Sequence, residues 1–228
     1  MKNIFKKVCV FLAAATAFLF TLTAVGCGGT VAKYDSSISE IRDAVYEGTG
    51  DNFSVSAVSG LREDPFSADG TAEKKREFTV ITVTPREFIP NKLYNYTVSI
   101  NGNEFTGVMS MHPFGETYSV EIAARTHEAE LTVNVKSGSV DETVALKNVV
   151  EEDDIDADKA LDAAIKALQA DLKPIRRGNS FDCEIYVRLI ANPINAEGGY
   201  FWYVAFMGEK NLAVLLNRKT AEVIAVKN

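Results

Sequence analysis

The chain has 228 residues and a formal net charge of −7. A nucleic-acid binder needs a basic footprint to displace counterions from phosphates, and an acidic chain lacks one; the same deficit excludes adhesion to anionic lipid by charge alone. With 46% hydrophobic and 10% aromatic residues, the composition is that of an ordinary folded protein, long enough for one large domain or two small ones.

Lys2, Lys6 and Lys7 head an uncharged, largely apolar run from Val8 to Val25 that ends at Gly26 and Cys27. A cationic start, an apolar run of this length and a small residue at its end are the parts of a secretory signal peptide. An uncleaved membrane anchor is the alternative, because the run is only slightly short of the roughly 20 residues that span a bilayer. Against the anchor, no basic stop follows, and Cys27-Gly28-Gly29 continues a helix poorly. Ala24-Val25-Gly26-Cys27 resembles the lipobox of bacterial lipoproteins, with Ala24 where Leu is usual and Val25 where Ala or Ser is usual. The resemblance implies cleavage between Gly26 and Cys27, diacylation of the Cys27 thiol, and a mature protein anchored by that lipid to the bacterial cell membrane on its extracytoplasmic side. Loss of the three leader lysines moves the formal charge from −7 to −10. Cys9 leaves with the leader and Cys27 carries the lipid, so Cys183 has no partner for an intramolecular disulfide, and stability has to come from packing.

Residues 27–34 read as a lipidated tether, followed by a first domain over 35–150. Ser37-Ile38-Ser39-Glu40 has the form of a capping box, and Ile38, Ile41 and Val45 follow at helical spacing, which predicts a helix ending near Gly48. Beyond Gly50 the period becomes two. Phe53, Val55 and Ala57 mark a strand, and Leu61–Glu73 is a polar excursion. Phe78–Val83 and Tyr94–Ile100 are β-prone runs, the second ending at the hairpin signal Asn101-Gly102. A return strand holds Phe105, Met109 and Met111, and two more carry Tyr118–Ala124 and Leu131–Val135. Six short strands with turns between them predict a small antiparallel sandwich or curled sheet.

Glu151, Glu152, Asp153, Asp154, Asp156 and Asp158 open a second unit over 151–228. Asp154 or Asp156 caps a helix whose Leu161, Ile165, Leu168 and Leu172 share a face and which Pro174 closes. Strands follow at Phe181–Ala191, Tyr200–Met207, Leu212–Asn217 and Val223–Val226. Three stretches of this unit, Ile155–Ala164, Tyr200–Phe206 and Asn217–Ile224, resemble the helix opening, aromatic middle strand and closing turn of the PepSY and PepSY-like domains of secreted bacterial proteins, with Ala221 in place of the turn glycine and Asn217 in place of Asp. The resemblance implies a helix packed on a small sheet and a role in restraining peptidases or modulating the cell periphery, and it brings no active-site residues. The expected fold class is therefore α+β: an N-terminal helix plus an antiparallel β-rich, sandwich-like domain, then a small PepSY-like helix-on-antiparallel-sheet domain.

Chemistry-bearing patterns are sparse. Asp154, Asp156 and Asp158 alternate as in the start of a calcium loop, but Lys159 and Ile165 stand where an EF-hand needs Gly and a bidentate Glu. His112 and His127 belong to no zinc spacing, and Cys183 alternates with Phe181, Ile185, Val187 and Leu189 as a core thiol would. No GxSxG, GxGxxG or Walker sequence occurs. The chain is expected to be no enzyme and to use no cofactor and no metal. One pattern is sharper. In the Tyr200–Met207 run both alternating sets are apolar, so a single helix layer leaves a second face to be covered, by the first domain or by a partner. Tyr186, Arg188, Phe201 and Tyr203 are its expected centre, since aromatics and Arg dominate binding surfaces. The expected function is non-catalytic protein interaction or peptidase modulation at the envelope, with an accessory lipoprotein for cell-wall glycan or a small molecule as the alternative.

Overall fold

Residues Ile38–Thr49 form a strand, β1, and not the helix that their spacing predicts. The intervals of three and four between Ile38, Ile41 and Val45 come from irregularities in the strand: its register slips between Ile38 and Glu40 against one neighbour and between Arg42 and Ala44 against another. Two inserted residues convert a period of two into a counterfeit helical period. The expected capping box is also differently employed. The Ser37 hydroxyl accepts a 2.8 Å bond from the Phe181 amide, 144 residues away, and the Glu40 carboxylate turns to arginines.

The structure is a computed structural model that describes residues 29–67, 69–70, 72–89, 91–113, 115–193 and 199–227. Gly26 and Cys27 lie outside the described residues. A one-turn helix α1 (Thr30–Lys33) precedes β1, and eight strands follow: β2 (Phe53–Glu63), β3 (Lys75–Pro85), β4 (Asn95–Ile100), β5 (Asn103–Val108), β6 (Ser110–Met111), β7 (Tyr118–Ile122), β8 (Glu130–Ser137) and β9 (Val140–Asn148). Their pairings run β1–β2–β3–β7–β6 in one direction and β1–β9–β8–β4–β5 in the other. Since β5 and β6 are stretches of one run, interrupted at Met109, the ring closes on itself as an antiparallel barrel. Closure removes most of the edges that an open sheet would expose.

The barrel is filled. Tyr46, Phe53, Ile81, Tyr94, Val98, Leu131 and Val133 are among the buried residues of its core, and Tyr94 stacks on Tyr118 with ring centroids 4.0 Å apart. An eight-stranded ring has an interior just wide enough for side chains to fill, which is what these alternating residues do. Asn101 and Gly102 take positive φ (51° and 76°) in the β4–β5 turn, as the Asn-Gly signal requires.

After the barrel, α2 (Ala157–Ala167) starts at an Asp156 cap that accepts the Lys159 amide at 2.8 Å. The short helix α3 (Gln169–Leu172) and the two-residue strands β10 (Arg176–Arg177) and β11 (Ser180–Phe181) lead to β12 (Glu184–Ala191), β13 (Tyr200–Met207), β14 (Leu212–Asn217) and β15 (Val223–Lys227). Ala160, Leu161, Ala164 and Leu168 pack on Ile185, Val187, Val204 and Val214 in a second core that also takes Ile38 and Ile41. Three more members of the acidic run form ion pairs: Glu151 and Asp153 hold Lys219, and Glu151 and Asp154 hold Arg218. The Lys219 pairs, with Arg218 nearby, lower both carboxyl pKa values and raise that of the lysine.

The two cores share one sheet, because the first half of β1 pairs in parallel with β12 (Ile41 opposite Val187) while its second half pairs with β9. The α+β expectation is thus corrected. Strand accounts for 53% and helix for 13%; among the described residues thirteen strands form one sheet, and there is neither an N-terminal helix over 37–48 nor a separate helix-on-sheet domain. The sandwich gives way to a closed ring because β9, missing from the expected strands, returns to β1.

Where β1 slips past β2, Gly60 faces Arg42, and a Cβ there would stand 1.9 Å from the Ile41 carbonyl oxygen. Backbone cannot retreat as a flexible side chain could. Gly60→Ala is therefore expected to destabilise the protein by at least about 1–3 kcal/mol, the usual range for overpacking. Urea unfolding of the variant checks this, and an unchanged midpoint would show that the two strands can separate without loss.

Candidate functional site

The strands that carry the second core have another face. In β13, Trp202, Val204 and Phe206 belong to the core under α2, so Phe201, Tyr203, Ala205 and Met207 take the opposite side. Cross-strand register extends that side over the sheet. Tyr186 lies opposite Ala205, Arg188 opposite Tyr203, and Glu184 opposite Met207. In β1, Glu40 lies beside Tyr186 and Arg42 beside Arg188, while Arg62 and Arg76 continue the row through β2 and β3.

Glu40 is fully buried. Its carboxylate accepts from Arg42 Nη2 at 3.1 Å and from Arg188 Nε, so an acid that a solvated helix would leave in water is the anchor of a charged row. Arginine suits this place because its planar guanidinium pairs and stacks at once. Arg188 lies 4.5 Å from the centroid of the Tyr186 ring, and Arg62 lies between two rings, 4.8 Å from Phe78 and 5.3 Å from Phe66. Phe66 meets Tyr186 edge-on at 6.3 Å and 88°. The result is a ladder, Phe78–Arg62–Phe66–Tyr186–Arg188, in which ring faces and edges alternate with cations as their quadrupoles favour. Arg62 also pairs with Glu121, which Arg76 shares. Burial, then the neighbouring Arg76 charge, lowers the pKa of Arg62.

Phe66 comes from the Glu63–Lys75 connection, which folds as a strap over the face. Two buried carboxylates hold it: Glu63 accepts the Ser67 and Glu73 amides at 3.4 and 2.9 Å, and Glu184 accepts the Gly70 amide. The other Glu184 oxygen accepts the Tyr186 hydroxyl, and burial followed by this bond pushes the tyrosine above its usual range. Beside the strap, Phe66, Tyr186, Arg188, Tyr203, Ala205 and Met207 line a cavity of about 300 Å³.

Of the residues singled out in the sequence, Tyr186, Arg188 and Tyr203 thus meet in one cavity. Phe201 shares their face but lies two residues further along β13, opposite Ile190 and Asn217, half-buried and outside the lining. Ala205 and Met207 were visible in the same alternating set. Nothing in the sequence signals Phe66 or Glu40, whose positions depend on the strap and on the parallel β1–β12 pairing. Cys183 is buried under α2, and burial, then the charges of Asp182 and Glu184, push its thiol up to about 12. His127 lies 3.8 Å from Asp43. Among the described residues no three His, Cys, Asp or Glu side chains gather as a metal site would need, and no helix is long and apolar enough to cross a membrane.

No family model, curated protein or solved structure matches this chain.

Removing one partner from a buried ion pair strands the others, a loss of about 3–5 kcal/mol when all are buried. Arg42 and Arg188 retain 29% and 26% side-chain exposure, which softens that loss. Glu40→Ala is expected to cost about 2–4 kcal/mol in urea unfolding, and Arg188→Leu in the same background should restore part of it. A Glu40→Ala protein as stable as the wild type would show that the carboxylate does not hold the row.

Proposed function

We propose that this protein is a non-catalytic lipoprotein of the bacterial cell envelope, anchored through Cys27, that binds a protein or peptide partner on the Tyr186–Tyr203 face as a protein-interaction or peptidase-modulating module. The observation that carries the proposal is the cavity itself: an aromatic and aliphatic lining with one stacked arginine, at the surface of a sheet whose other face packs under α2. Aromatics and arginine give large contact area at small entropic cost, which is why they dominate binding hot spots. A glycan or small-molecule lipoprotein is less well supported, because the space where an aromatic-lined pocket would sit, the barrel interior, is filled by its own side chains.

Tyr203→Ala tests the face. Tyr203 is only partly buried, at the margin of a small cluster of Tyr186, Ala205 and Ala213, so the change should shift the melting temperature little while weakening partner capture by about 2 kcal/mol or more. Crosslinking pull-down from intact cells with wild type and variant reads it, and equal recovery would rule the face out.

The anchor is tested separately. Two acyl chains hold a protein stably on a membrane and a bare N-terminus does not, so Cys27→Ser should leave uncleaved precursor or release the protein into the medium. Intact mass spectrometry of the wild type showing an unmodified Cys27 would overturn the assignment.

A further inference from the structure

The cavity at Tyr203 does not end at Met207. Met207 also lines a second cavity of about 470 Å³, and Asp182, Gly208 and Glu209 continue from that one into a third of about 620 Å³ beneath α3. The three are sections of one groove along the β12–β13 end of the sheet, and their chemistry changes along it. The first section is aromatic. Among the described residues the middle section has four carboxylates in its lining, exposed Asp69, Asp182 and Glu209 and buried Glu184, and no cationic side chain. Glu184 is held there by neutral donors, the Gly70 amide and the Tyr186 hydroxyl, which satisfy its oxygens without cancelling its charge. Asp182 pairs with Arg177 at 2.5 Å on the side towards the third section, where Lys210 also reaches Asp171 at 3.2 Å. A second copy of this acidic chain would meet the groove with like charge.

We infer that the occupant is an extended basic peptide segment, with an aromatic or aliphatic side chain seated among Phe66, Tyr186 and Tyr203 and Lys or Arg residues following it towards exposed Glu209, within the field of the buried Glu184 charge. Phe66 already shows what the first section accepts, since its ring edge rests on Tyr186 under the Arg62 guanidinium. The apolar anchor supplies affinity by burial, and the carboxylates supply direction and selectivity, because a reversed peptide would place its cations against Arg188. This rests on the proposed function and specifies the partner's chemistry.

The test uses the full chain in detergent and two fluorescein-labelled peptides, each with one Phe anchor followed by Lys at alternate positions or by Glu at the same positions, with binding read by anisotropy. The Lys peptide should bind about tenfold or more tightly than the Glu peptide, as expected of several charge pairs acting together, and the preference should shrink at high salt. Glu209→Lys, a change at an exposed turn, should abolish most of the preference, and Tyr203→Ala should weaken the Lys peptide without altering its salt dependence. Equal binding of both peptides, binding of neither, or indifference to Glu209→Lys would overturn the inference, while Tyr203-dependent capture of a cellular partner would still stand. Sedimentation showing that the chain pairs with itself through Tyr203, unaffected by the Lys peptide, would replace the peptide by a second copy. Loss of Tyr203 dependence in cells would remove the proposed function as well.

Discussion

The structure depends on one strand serving two cores. Along one edge β1 pairs with β2 over nearly its whole length, while along the other it pairs first with β12 and then with β9. Backbone amides cannot be left unpaired in a core, so the change of neighbour has to occur within a few residues. The slip between Arg42 and Ala44 lies at that place, and Gly60 lets the opposite backbone come close enough to follow it. Ile38 and Ile41 consequently join the core under α2, and Ala44 and Tyr46 join the barrel core, from one continuous run of twelve residues.

The parallel pairing of β1 with β12 brings polar side chains to a place where water is scarce. Glu40 is the residue most affected, and it persists because two arginines and the surrounding rings replace the solvation it has lost. Buried ion pairs add little to stability over an apolar substitute, but an unmatched register would leave a charge alone. The row of Glu40, Arg42, Arg62 and Arg188 therefore acts on specificity, favouring the one register in which every charge has an opposite. The same row leaves Tyr186 stacked and held, so that the Tyr186–Tyr203 face is fixed by the chain's own contacts.

Local signals were reliable where the chain folds on its neighbours. Asn101-Gly102 made its hairpin, Asp156 capped its helix, and the alternation of Phe181–Ala191 and Tyr200–Met207 placed Tyr186, Arg188 and Tyr203 on one side. They misled at β1, where a strand with two slips shows the spacing of a helix and Ser37 and Glu40 bond to residues nearly 150 positions away. β9 escapes the alternation signal because Glu142 interrupts its inward set of Val140, Val144 and Leu146, although Val144 and Leu146 fill the barrel. Without β9 there is no return to β1, and a closed ring looks like an open sandwich.

The sequence by itself determined the turns, the α2 cap, the apolar alternation of the C-terminal strands and the acidity that disfavours nucleic acid, since each follows from residues close together or from composition. Only the tertiary structure decided that β1 is a strand, that the barrel closes, that Phe66 lines the cavity at Tyr203, and that Glu40 holds the Arg188 of that lining. Those depend on hydrogen bonds and ion pairs between segments far apart in the chain. Local propensity says nothing about which distant segments will meet, and a buried carboxylate such as Glu40 is tolerable only after they have.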